Sequence, residues 1–253
     1  MRLLSEQVSG QIRAGVAMTD EFFRFPHTPH IVWLGEGSPR DDKLLSATEV
    51  DALLAGPVVV EEKLDGANLG FSLPLDGTLR AQNRGTYLQA PFTGQFKRLT
   101  AWLAQHERPL AETLGNDLIA FGEWCAARHT LGYDRLPDWW LLFDVYDRRA
   151  GRFWGTRRRD TWAAAAGVAV VPELHRGETN LARLREWAMT ERSHYRDGPL
   201  EGVVVRSEDA DWSNARGKLV NPAFAAGIEA HWRRRRIEWN RLSSSPMPRS
   251  PTR

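Results

Sequence analysis

The sequence predicts an α+β fold built mainly from antiparallel sheets. Apolar runs typical of strands and runs with helical spacing follow one another without the regular strand–helix alternation of parallel sheets. Two Asp-Gly pairs, at 65–66 and 76–77, separate strand-like runs, as tight turns do. With 253 residues, of which 42% are hydrophobic, the chain can bury the core of one large domain or two small ones.

The first half of the chain predicts a capped helix, three strands and a long helix. Ser46-Ala-Thr-Glu49 has the pattern of a capping box, so a short helix is expected to begin there and to end near Gly56. Three strands are expected to form a meander, at 58–64, 67–73 and 79–83. Helical spacing then extends over 95–114, although Pro109 is expected to break that helix.

In the second half, strands and shorter helices are predicted in mixed order. The expected strands lie at 118–125, 139–146, 152–154, 168–174, 201–206 and 217–220, and the expected helices at 160–166 and 181–191. A C-terminal helix is predicted from position 222 onward, where apolar residues recur near helical spacing: Phe224, Ile228, Trp232 and Trp239.

Positive charge is concentrated at the end of the sequence. The formal net charge of the whole chain is only +2, but residues 231–253 contain seven arginines and a single acid, Glu238. A basic patch of this kind suits phosphate groups, and the alternative is a solvated helix face. We expect an N-terminal arm at 1–21, one domain at 22–242 that includes the C-terminal helix, and a disordered basic tail at 243–253.

The cysteine content and the hydropathy favour a cytoplasmic protein. Cys125 is the only cysteine, so a disulfide within the chain is impossible, which fits a reducing compartment. No stretch approaches the ~20 apolar residues of a membrane span, and residues 1–15 lack the apolar core of a signal peptide. We therefore expect no association with a membrane.

Six charged residues stand at the ends of apolar, strand-like runs. Taken singly, each is more readily explained as structural, but as a set they combine three cations with three acids: Lys63, Arg84, Lys218, Glu123, Asp144 and Glu201. Three acids can hold a divalent metal, and three cations can clamp a polyphosphate. A lysine that is partly shielded beside another cation has a lowered pKa, and its neutral amine is a nucleophile. Together these features indicate attack on the α-phosphate of a nucleotide.

These charged positions also lie in segments that resemble, in the same order, the motifs of covalent nucleotidyltransferases. That superfamily comprises the ATP-dependent DNA and RNA ligases and the mRNA capping enzymes. The segments are Lys63-Leu-Asp-Gly-Ala-Asn68, Arg84-Gly85, Phe121-Gly-Glu123-Trp, Phe143-Asp144-Val-Tyr, Glu201-Gly-Val-Val-Val-Arg206 and Lys218-Leu-Val220. Asn68 stands where DNA ligases usually carry arginine and is similar to the RNA ligase 2-like branch.

Further stretches resemble small bacterial and phage RNA ligases. They are Phe25-Pro-His-Thr-Pro-His30, Trp124-Cys-Ala-Ala-Arg-His129, Tyr133-Asp-Arg-Leu-Pro137 and His231-Trp232. The resemblance implies a nucleotidyltransferase (adenylation) domain of the ATP-grasp-like ligase type, with flanking helices and a central nucleotide cleft between two mainly antiparallel sheets. It also implies an ATP-dependent RNA ligase. Lysyl-AMP would form first, AMP would pass to a 5′-phosphate, and a 3′-hydroxyl would displace the AMP.

The resemblance implies a role for each matching residue. The residues expected to act in catalysis are Lys63, Asp65, Asn68 and Lys218. The residues expected to bind the nucleotide are Glu62, Arg84, Glu123, Phe143, Val203, Val204 and Arg216. Glu201 and Asp144 are expected on the metal side, and Lys218 is expected to lower the pKa of Lys63. The implied cofactors are ATP and Mg²⁺ or Mn²⁺. The implied partners are RNA or nicked nucleic acid with 5′-phosphate and 3′-hydroxyl ends, with an end-healing kinase or phosphatase as a further candidate.

The sequence departs from its relatives at three points. Arg216-Gly-Lys218 stands where many relatives have lysine at both charged positions, and Asp65 stands where part of the branch has histidine. Residues 219–253 leave room for neither an OB domain nor a helical domain, so a bare adenylation domain is expected. A nick-sealing DNA ligase is the first alternative, a GTP-dependent capping enzyme the second, and a non-catalytic module that binds nucleic-acid ends the third.

Overall fold

The computed structural model describes residues 21–35, 43–225 and 236–244. Within these ranges, ten strands form two sheets, and five α-helices and one short 3₁₀ helix, Gly94–Phe96, pack around them. The strands are β1 Val58–Lys63, β2 Ala67–Ser72, β3 Arg80–Gln82, β4 Leu118–Trp124, β5 Trp140–Asp147, β6 Arg152–Phe153, β7 Ala169–Val170, β8 Glu173–Gly177, β9 Gly202–Glu208 and β10 Ser213–Val220. The helices are α1 Ala47–Leu53, α2 Leu99–Leu114, α3 Thr156–Ala166, α4 Leu181–Thr190 and α5 Pro222–Ala225.

The two sheets are almost entirely antiparallel. The first sheet has the strand order β10-β9-β1-β8, and the second has the order β3-β2-β4-β5-β6. The exception is β7, which runs parallel beside β5. This architecture confirms the predicted α+β class with two mainly antiparallel sheets and flanking helices. No helix in the described ranges is both long and apolar enough to cross a membrane.

The predicted meander of three strands was wrong, because β1 and β2 belong to different sheets. Strand β1 pairs with β8 and β9, whereas β2 pairs with β3 and β4. The Asp65-Gly66 turn therefore carries the chain from one sheet to the other. The carboxylate of Asp65 accepts the backbone N–H groups of Thr130 and Leu131, both at 2.7 Å. A Cβ on Gly66 would lie 2.6 Å from the carbonyl oxygen of Trp124, so this crossing requires glycine.

Two further expectations have opposite outcomes. The capping box before α1 is confirmed, since Ser46 accepts the backbone N–H of Glu49 and Glu49 accepts that of Ser46. The expected break at Pro109 was wrong, because α2 runs through this residue. The helix buries Leu110 and Leu114 completely beyond the proline, and this packing outweighs the hydrogen bond that proline cannot make.

The expected C-terminal helix is limited to the four residues of α5 in the described part of the chain. Residues 226–235, including Ile228 and Trp232, lie outside the described ranges, as do residues 1–20 of the expected arm and 245–253 of the expected tail. Residues 236–244 are not helical. They run alongside other loops, with bridges from Trp239 to Ala127 and from Leu242 to Leu136. We call residues 236–244 the strap.

Each sheet has an apolar outer face that packs against helices. On the first sheet, buried residues of β1, β9 and β10 form a cluster with α1 and α4: Val58, Val60, Val203, Val205, Leu219, Val50, Leu53, Leu184 and Ala188. On the second sheet, Phe71, Trp124 and Trp140 pack with Trp102 of α2 and Trp162 of α3. Because side chains alternate along a strand, polar residues of both sheets face the space between them.

A buried group of charged side chains joins the inner faces of the two sheets. Arg206 of β9 donates hydrogen bonds to Glu61 of β1 at 2.6 Å and to Asp144 of β5 at 2.7 Å. Arg216 of β10 pairs with the other oxygen of Asp144, and Arg159 of α3 pairs with Glu61 at 2.6 Å. Burial alone would raise the pKa of Glu61, but Arg159 and Arg206 hold it below its ordinary value. We call these five residues the inter-sheet ion cluster.

We expect Arg206→Met to destabilise the protein by about 3–5 kcal/mol, because it leaves two buried carboxylates with too few partners. Arg108→Met is the matched control, since its pair with Glu112 is exposed and its loss should change the stability little. Urea unfolding of both variants measures the difference. Equal losses for the two variants would show that the inter-sheet ion cluster does not hold the sheets together.

Candidate active site

Lys63 is the last residue of β1 and points into the space between the sheets. Its Nζ donates to both carboxylate oxygens of Glu201 at 2.7 Å, and 25% of its side chain is exposed. Glu201 immediately precedes β9, and the antiparallel pairing of Lys63 with Gly202 brings it opposite the lysine. The predicted partial shielding of Lys63 at a strand end is thus what the structure shows.

Three carboxylates determine the charge state of Lys63. Burial opposes its positive charge, but Glu201, Glu123 and Asp65 outweigh burial and raise the pKa of Lys63. The expected lowering of this pKa was therefore wrong. Lys218 lies on the same face of the first sheet, because it pairs with Val204, which in turn pairs with Glu61. In this site, Lys218 acts to lower the pKa of Glu201.

Two glutamates at this site have strongly raised pKa values. Burial raises the pKa of Glu123 to about 8, although the Lys63 ammonium opposes the shift. Burial also raises the pKa of Glu201 to about 7, again against the effect of Lys63. Negative neighbours add to this effect, because Asp65 raises the pKa of both glutamates and Glu201 also raises that of Glu123. Additional positive charge nearby would therefore stabilise the ionised carboxylates.

The inner face of the second sheet contributes Asn68 and Glu123. These residues pair directly across β2 and β4, so their side chains share one face. Both polar atoms of the Asn68 side chain are buried without a partner among the described protein groups, and so is Nε of Arg84. Buried polar atoms of this kind are costly unless a ligand or water satisfies them. They fit a polar ligand that brings both donors and acceptors into the cleft.

Glu62 is held by a loop that sequence reasoning did not single out. One oxygen, Oε2, accepts the backbone N–H of His194 at 2.9 Å and lies 3.1 Å from the ring Nδ1. The other oxygen, Oε1, is buried without a partner among the described groups. His194 lies in the connection between α4 and β9, which carries no periodic signal, so its contact with Glu62 depends on the tertiary fold.

Arg84 and Lys218 both border the aromatic stretch at 21–35. Nη1 of Arg84 lies 3.4 Å from Nδ1 of His27. The backbone N–H of Lys218 donates to the carbonyl of Pro29, and that of Ile31 donates to the carbonyl of Lys218. The stretch that resembles the small RNA ligases thus lies beside two of the predicted phosphate-binding residues.

Asp144 and Arg216 lie in the inter-sheet ion cluster and not at a metal site. Asp144 is only 1% exposed, and its two oxygens accept from Arg206 and Arg216. The prediction of Asp144 as a metal ligand is therefore corrected, because arginines already occupy its ligand positions. Arg216 also stacks on the rings of Phe25 and Phe153, at 4.5 and 4.3 Å. No group of three or more His, Cys, Asp or Glu in the described ranges is placed to hold a metal.

The structure separates the two valines that were expected to face the base. Val204 is partly exposed and shares the inner face with Glu61 and Lys218. Val203 is fully buried in the outer apolar cluster, so the prediction that it lines the nucleotide site is corrected. Phe143 is partly buried, and its ring contacts Phe25 edge-on at 5.3 Å.

Comparison with known proteins identifies the family of this chain. A family model described as RNA ligase matches residues 56–220, and the chain belongs to this family. The match includes both sheets and all of the predicted site residues. No curated protein matches the chain significantly.

Solved structures of the Naegleria gruberi RNA ligase share the fold. The structure with PPi has 17% identity and a TM-score of 0.57, covering 81% of this chain and 63% of that one. A substituted form with ATP and Mn has 18% identity and a TM-score of 0.56, covering 71% and 54%. A substituted apo form has 19% identity and a TM-score of 0.58, covering 79% and 62%. This chain thus spans between 54% and 63% of the length of these structures.

We expect Glu123→Gln to become more stable, relative to the wild type, as the pH rises from 5 to 9. The folded-state pKa of Glu123 is about 8, above the ordinary 4.5, so the native protein holds this proton more tightly than the unfolded chain. The corresponding stability is present below about pH 4.5 and is lost as the pH rises through about 8.

The expected gain for Glu123→Gln at pH 9 is a few kcal/mol, or roughly 10 °C in melting temperature. Thermal melts across this pH range measure it. Glu112→Gln is the control, since Glu112 is exposed on α2 and should show no such trend. A pH-independent difference between wild type and Glu123→Gln would contradict the raised pKa.

Proposed function

We propose that this protein is an ATP-dependent RNA ligase that acts through a lysyl-AMP intermediate at Lys63. The observation that carries the proposal is the position of Lys63 at the end of β1, 2.7 Å from Glu201 and within the segment that matches the RNA ligase family. The Naegleria gruberi RNA ligase, which shares the fold, has been solved with ATP and Mn and, in another form, with AMP and Mn.

The proposed reaction has three phosphoryl transfers. After the Lys63 ammonium has lost one proton to solvent, the neutral Nζ attacks the α-phosphorus of ATP, the bond to the bridging oxygen breaks, pyrophosphate leaves with that electron pair, and a second proton on Nζ goes to solvent. An oxygen of an RNA 5′-phosphate then attacks the AMP phosphorus, the P–N bond breaks, and the lysine nitrogen takes up a proton and leaves as the amine. Finally, a 3′-hydroxyl attacks the 5′-phosphorus, AMP leaves, and the hydroxyl proton is lost.

The residues of the cleft have distinct proposed roles in binding ATP. The unpartnered Oε1 of Glu62 can accept a hydrogen bond from the exocyclic amine of adenine, whereas guanine carries a carbonyl at that position. Phe143 and Val204 would contact the base. Lys218 and Arg84 would hold the phosphates, with Glu123 beside the ribose. Asn68 would contact the phosphate that is transferred, because both of its polar atoms lack protein partners among the described residues.

The carboxylates at Lys63 fit a divalent cation that is shared with the substrate. Mg²⁺ is usually bound through one or two carboxylates together with substrate phosphates, so a complete protein cage is not required. Glu201 and Glu123 would hold the ion, and their raised pKa values indicate that added positive charge is favourable. Such a cation, when bound, would neutralise charge on the phosphates and compete with the Lys63 ammonium for Glu201, which lowers the pKa of Lys63.

The proposal also includes a partner enzyme and a cellular location. RNA with 5′-phosphate and 3′-hydroxyl ends would be the substrate, so an enzyme that prepares such ends by kinase or phosphatase chemistry is a candidate partner. A cytoplasmic location is consistent with Cys125, which is buried and unpaired with another cysteine.

We expect the purified protein to gain the mass of one AMP when it is incubated with ATP and Mg²⁺. Lys63→Ala should gain none, because it lacks the nucleophile. Lys43→Ala should behave as the wild type, since Lys43 is exposed on the surface and pairs with Glu49. Intact-mass spectrometry distinguishes these outcomes, after pyrophosphate treatment has removed any AMP already bound.

The nucleotide in the adduct distinguishes the alternatives. Addition of GMP from GTP would favour a capping enzyme. Absence of any adduct in folded, AMP-free protein would contradict the proposal and would favour a module that binds nucleic-acid ends without catalysis.

We expect the protein to seal nicks with RNA on the 3′-hydroxyl side at least about ten-fold faster than nicks with DNA there. A site that hydrogen-bonds a ribose hydroxyl discriminates strongly against a substrate that lacks it. Matched duplexes that differ only in the sugars flanking the nick measure the ratio. Equal sealing of the two substrates would favour a nick-sealing DNA ligase.

A further inference from the structure

The strap is tied along its length to one loop beside the site, formed by residues 125–136. Five backbone hydrogen bonds connect them: Arg128 N–H to Glu238 O at 2.9 Å, Asn240 N–H to Ala126 O at 3.0 Å, Arg241 N–H to Tyr133 O at 2.9 Å, Leu136 N–H to Arg241 O at 3.1 Å, and Ser243 N–H to Leu136 O at 2.8 Å. We call residues 125–136 the bridging loop. Because the strap donates three of these bonds and the loop donates two, each segment holds the other at several points, which fixes their register.

Asn240 is the residue that fixes this register. It is only 4% exposed, and its side-chain Oδ1 accepts the backbone N–H of Tyr133 at 2.9 Å. Its Nδ2 donates to the carbonyl oxygens of Cys125 at 2.8 Å and Ala127 at 3.3 Å. A buried amide is costly unless it is hydrogen-bonded, and here three backbone groups of the bridging loop satisfy it. A shift of the strap by one residue would break all three contacts.

The bridging loop in turn holds the residue two positions after Lys63. The phenolic oxygen of Tyr133 accepts the backbone N–H of Asp65 at 2.8 Å. The backbone N–H groups of Thr130 and Leu131 donate to the carboxylate of Asp65. The turn that follows the nucleophile is therefore fixed by the loop at both its backbone and its side chain.

The same loop also holds Glu62, the residue that precedes Lys63, through contacts with residues 194 and 195. The backbone N–H of Asp134 donates to the carbonyl of Tyr195, and Nε of Arg135 donates to the carbonyl of His194. His194 contacts Glu62 through its backbone N–H and its ring. Lys63 thus lies between two residues, Glu62 and Asp65, whose positions depend on the bridging loop.

We propose that the strap is a positioning element for the attack by Lys63, and that it acts through Asn240, Tyr133 and Asp65. The inference rests on the proposed function, because it assigns a role in forming lysyl-AMP. Asn240 is a positioning residue and does not itself reach the reacting atoms. A displacement of about 1 Å at a nucleophile can reduce a rate by roughly 100-fold, so a strap that fixes this turn affects chemistry and not only stability.

The test compares three variants of the full chain: Asn240→Ala, Tyr133→Phe and Glu238→Gln. The first removes the three side-chain bonds, and the second removes only the oxygen that reaches Asp65. The third is the control, because the side-chain pair of Glu238 with Arg128 is exposed and its backbone contact with the loop is retained. We expect lysyl-AMP formation at saturating ATP to slow by about 10- to 100-fold in the first two variants and to be unchanged in the third.

A second reaction separates positioning from folding. Sealing of RNA that already carries AMP on its 5′-phosphate bypasses the attack by Lys63. We expect Asn240→Ala and Tyr133→Phe to seal this substrate at close to the wild-type rate, whereas a loss of folded protein would slow both reactions equally. Thermal melts report the folded fraction, and Tyr133→Phe keeps the test decisive if Asn240→Ala does not fold.

The outcomes also separate this inference from the proposed function. Wild-type protein that forms no adduct contradicts the proposed function and the inference together. Wild-type protein that forms the adduct, with Tyr133→Phe and folded Asn240→Ala at the wild-type rate, contradicts the inference alone. Equal slowing of both reactions in Tyr133→Phe also overturns it.

Discussion

The buried pairing of arginines with Glu61 and Asp144 is the constraint on which the cleft depends. An ion in the interior is tolerated only when opposite charge and hydrogen bonds replace its hydration. Arg206 satisfies this requirement for two sheets at once, because it reaches Glu61 on β1 and Asp144 on β5. Since Glu61 precedes Lys63 by two residues on the same face of β1, the inter-sheet ion cluster also orients the strand end that presents Lys63.

The same pairing explains why two basic residues of β10 have different surroundings. Arg216 and Lys218 lie two residues apart on one face of the strand, and a sequence motif treats them as equivalent phosphate contacts. In the structure, the planar guanidinium of Arg216 pairs with Asp144 and stacks on aromatic rings. Lys218 instead acts electrostatically on Glu201 at the site. Arginine suits the structural position because it can pair and stack at once, which an ammonium does less well.

Local signals in the sequence predicted most of the elements but not their partners. The capping box at Ser46 and the strand that ends at Lys63 depend on a few neighbouring residues, and both were predicted correctly. The Asp65-Gly66 pair is equally consistent with a hairpin and with a crossing between sheets. Contacts from Thr130 and Leu131, more than sixty residues later in the chain, decide in favour of the crossing. Such distant partners leave no trace in local periodicity.

The site residues also divide into features that local sequence can indicate and features that only the tertiary fold determines. The saturation of Asp144 by arginines and the contact of His194 with Glu62 require the tertiary fold, so the sequence could not indicate them. The placement of Val203 and Val204 required it only in part. Val203 and Val204 are adjacent on one strand, and adjacent strand residues face opposite sides, so only one of them could line the cleft. Which of the two faces the cleft depends on the pairing of Val204 with Lys218 across β9 and β10, and that register comes from the fold.

The charge balance around Lys63 has a consequence for how the site is activated. With Glu201, Glu123 and Asp65 around it, the resting lysine is stabilised as an ammonium, which is not a nucleophile. The raised pKa values of Glu123 and Glu201 show that these carboxylates are themselves poorly compensated by a single lysine. Positive charge that neutralises these carboxylates would stabilise them as anions and would at the same time lower the pKa of Lys63. Without such charge the amine stays protonated, so under the proposed function the reactivity of Lys63 would depend on positive charge entering the cleft.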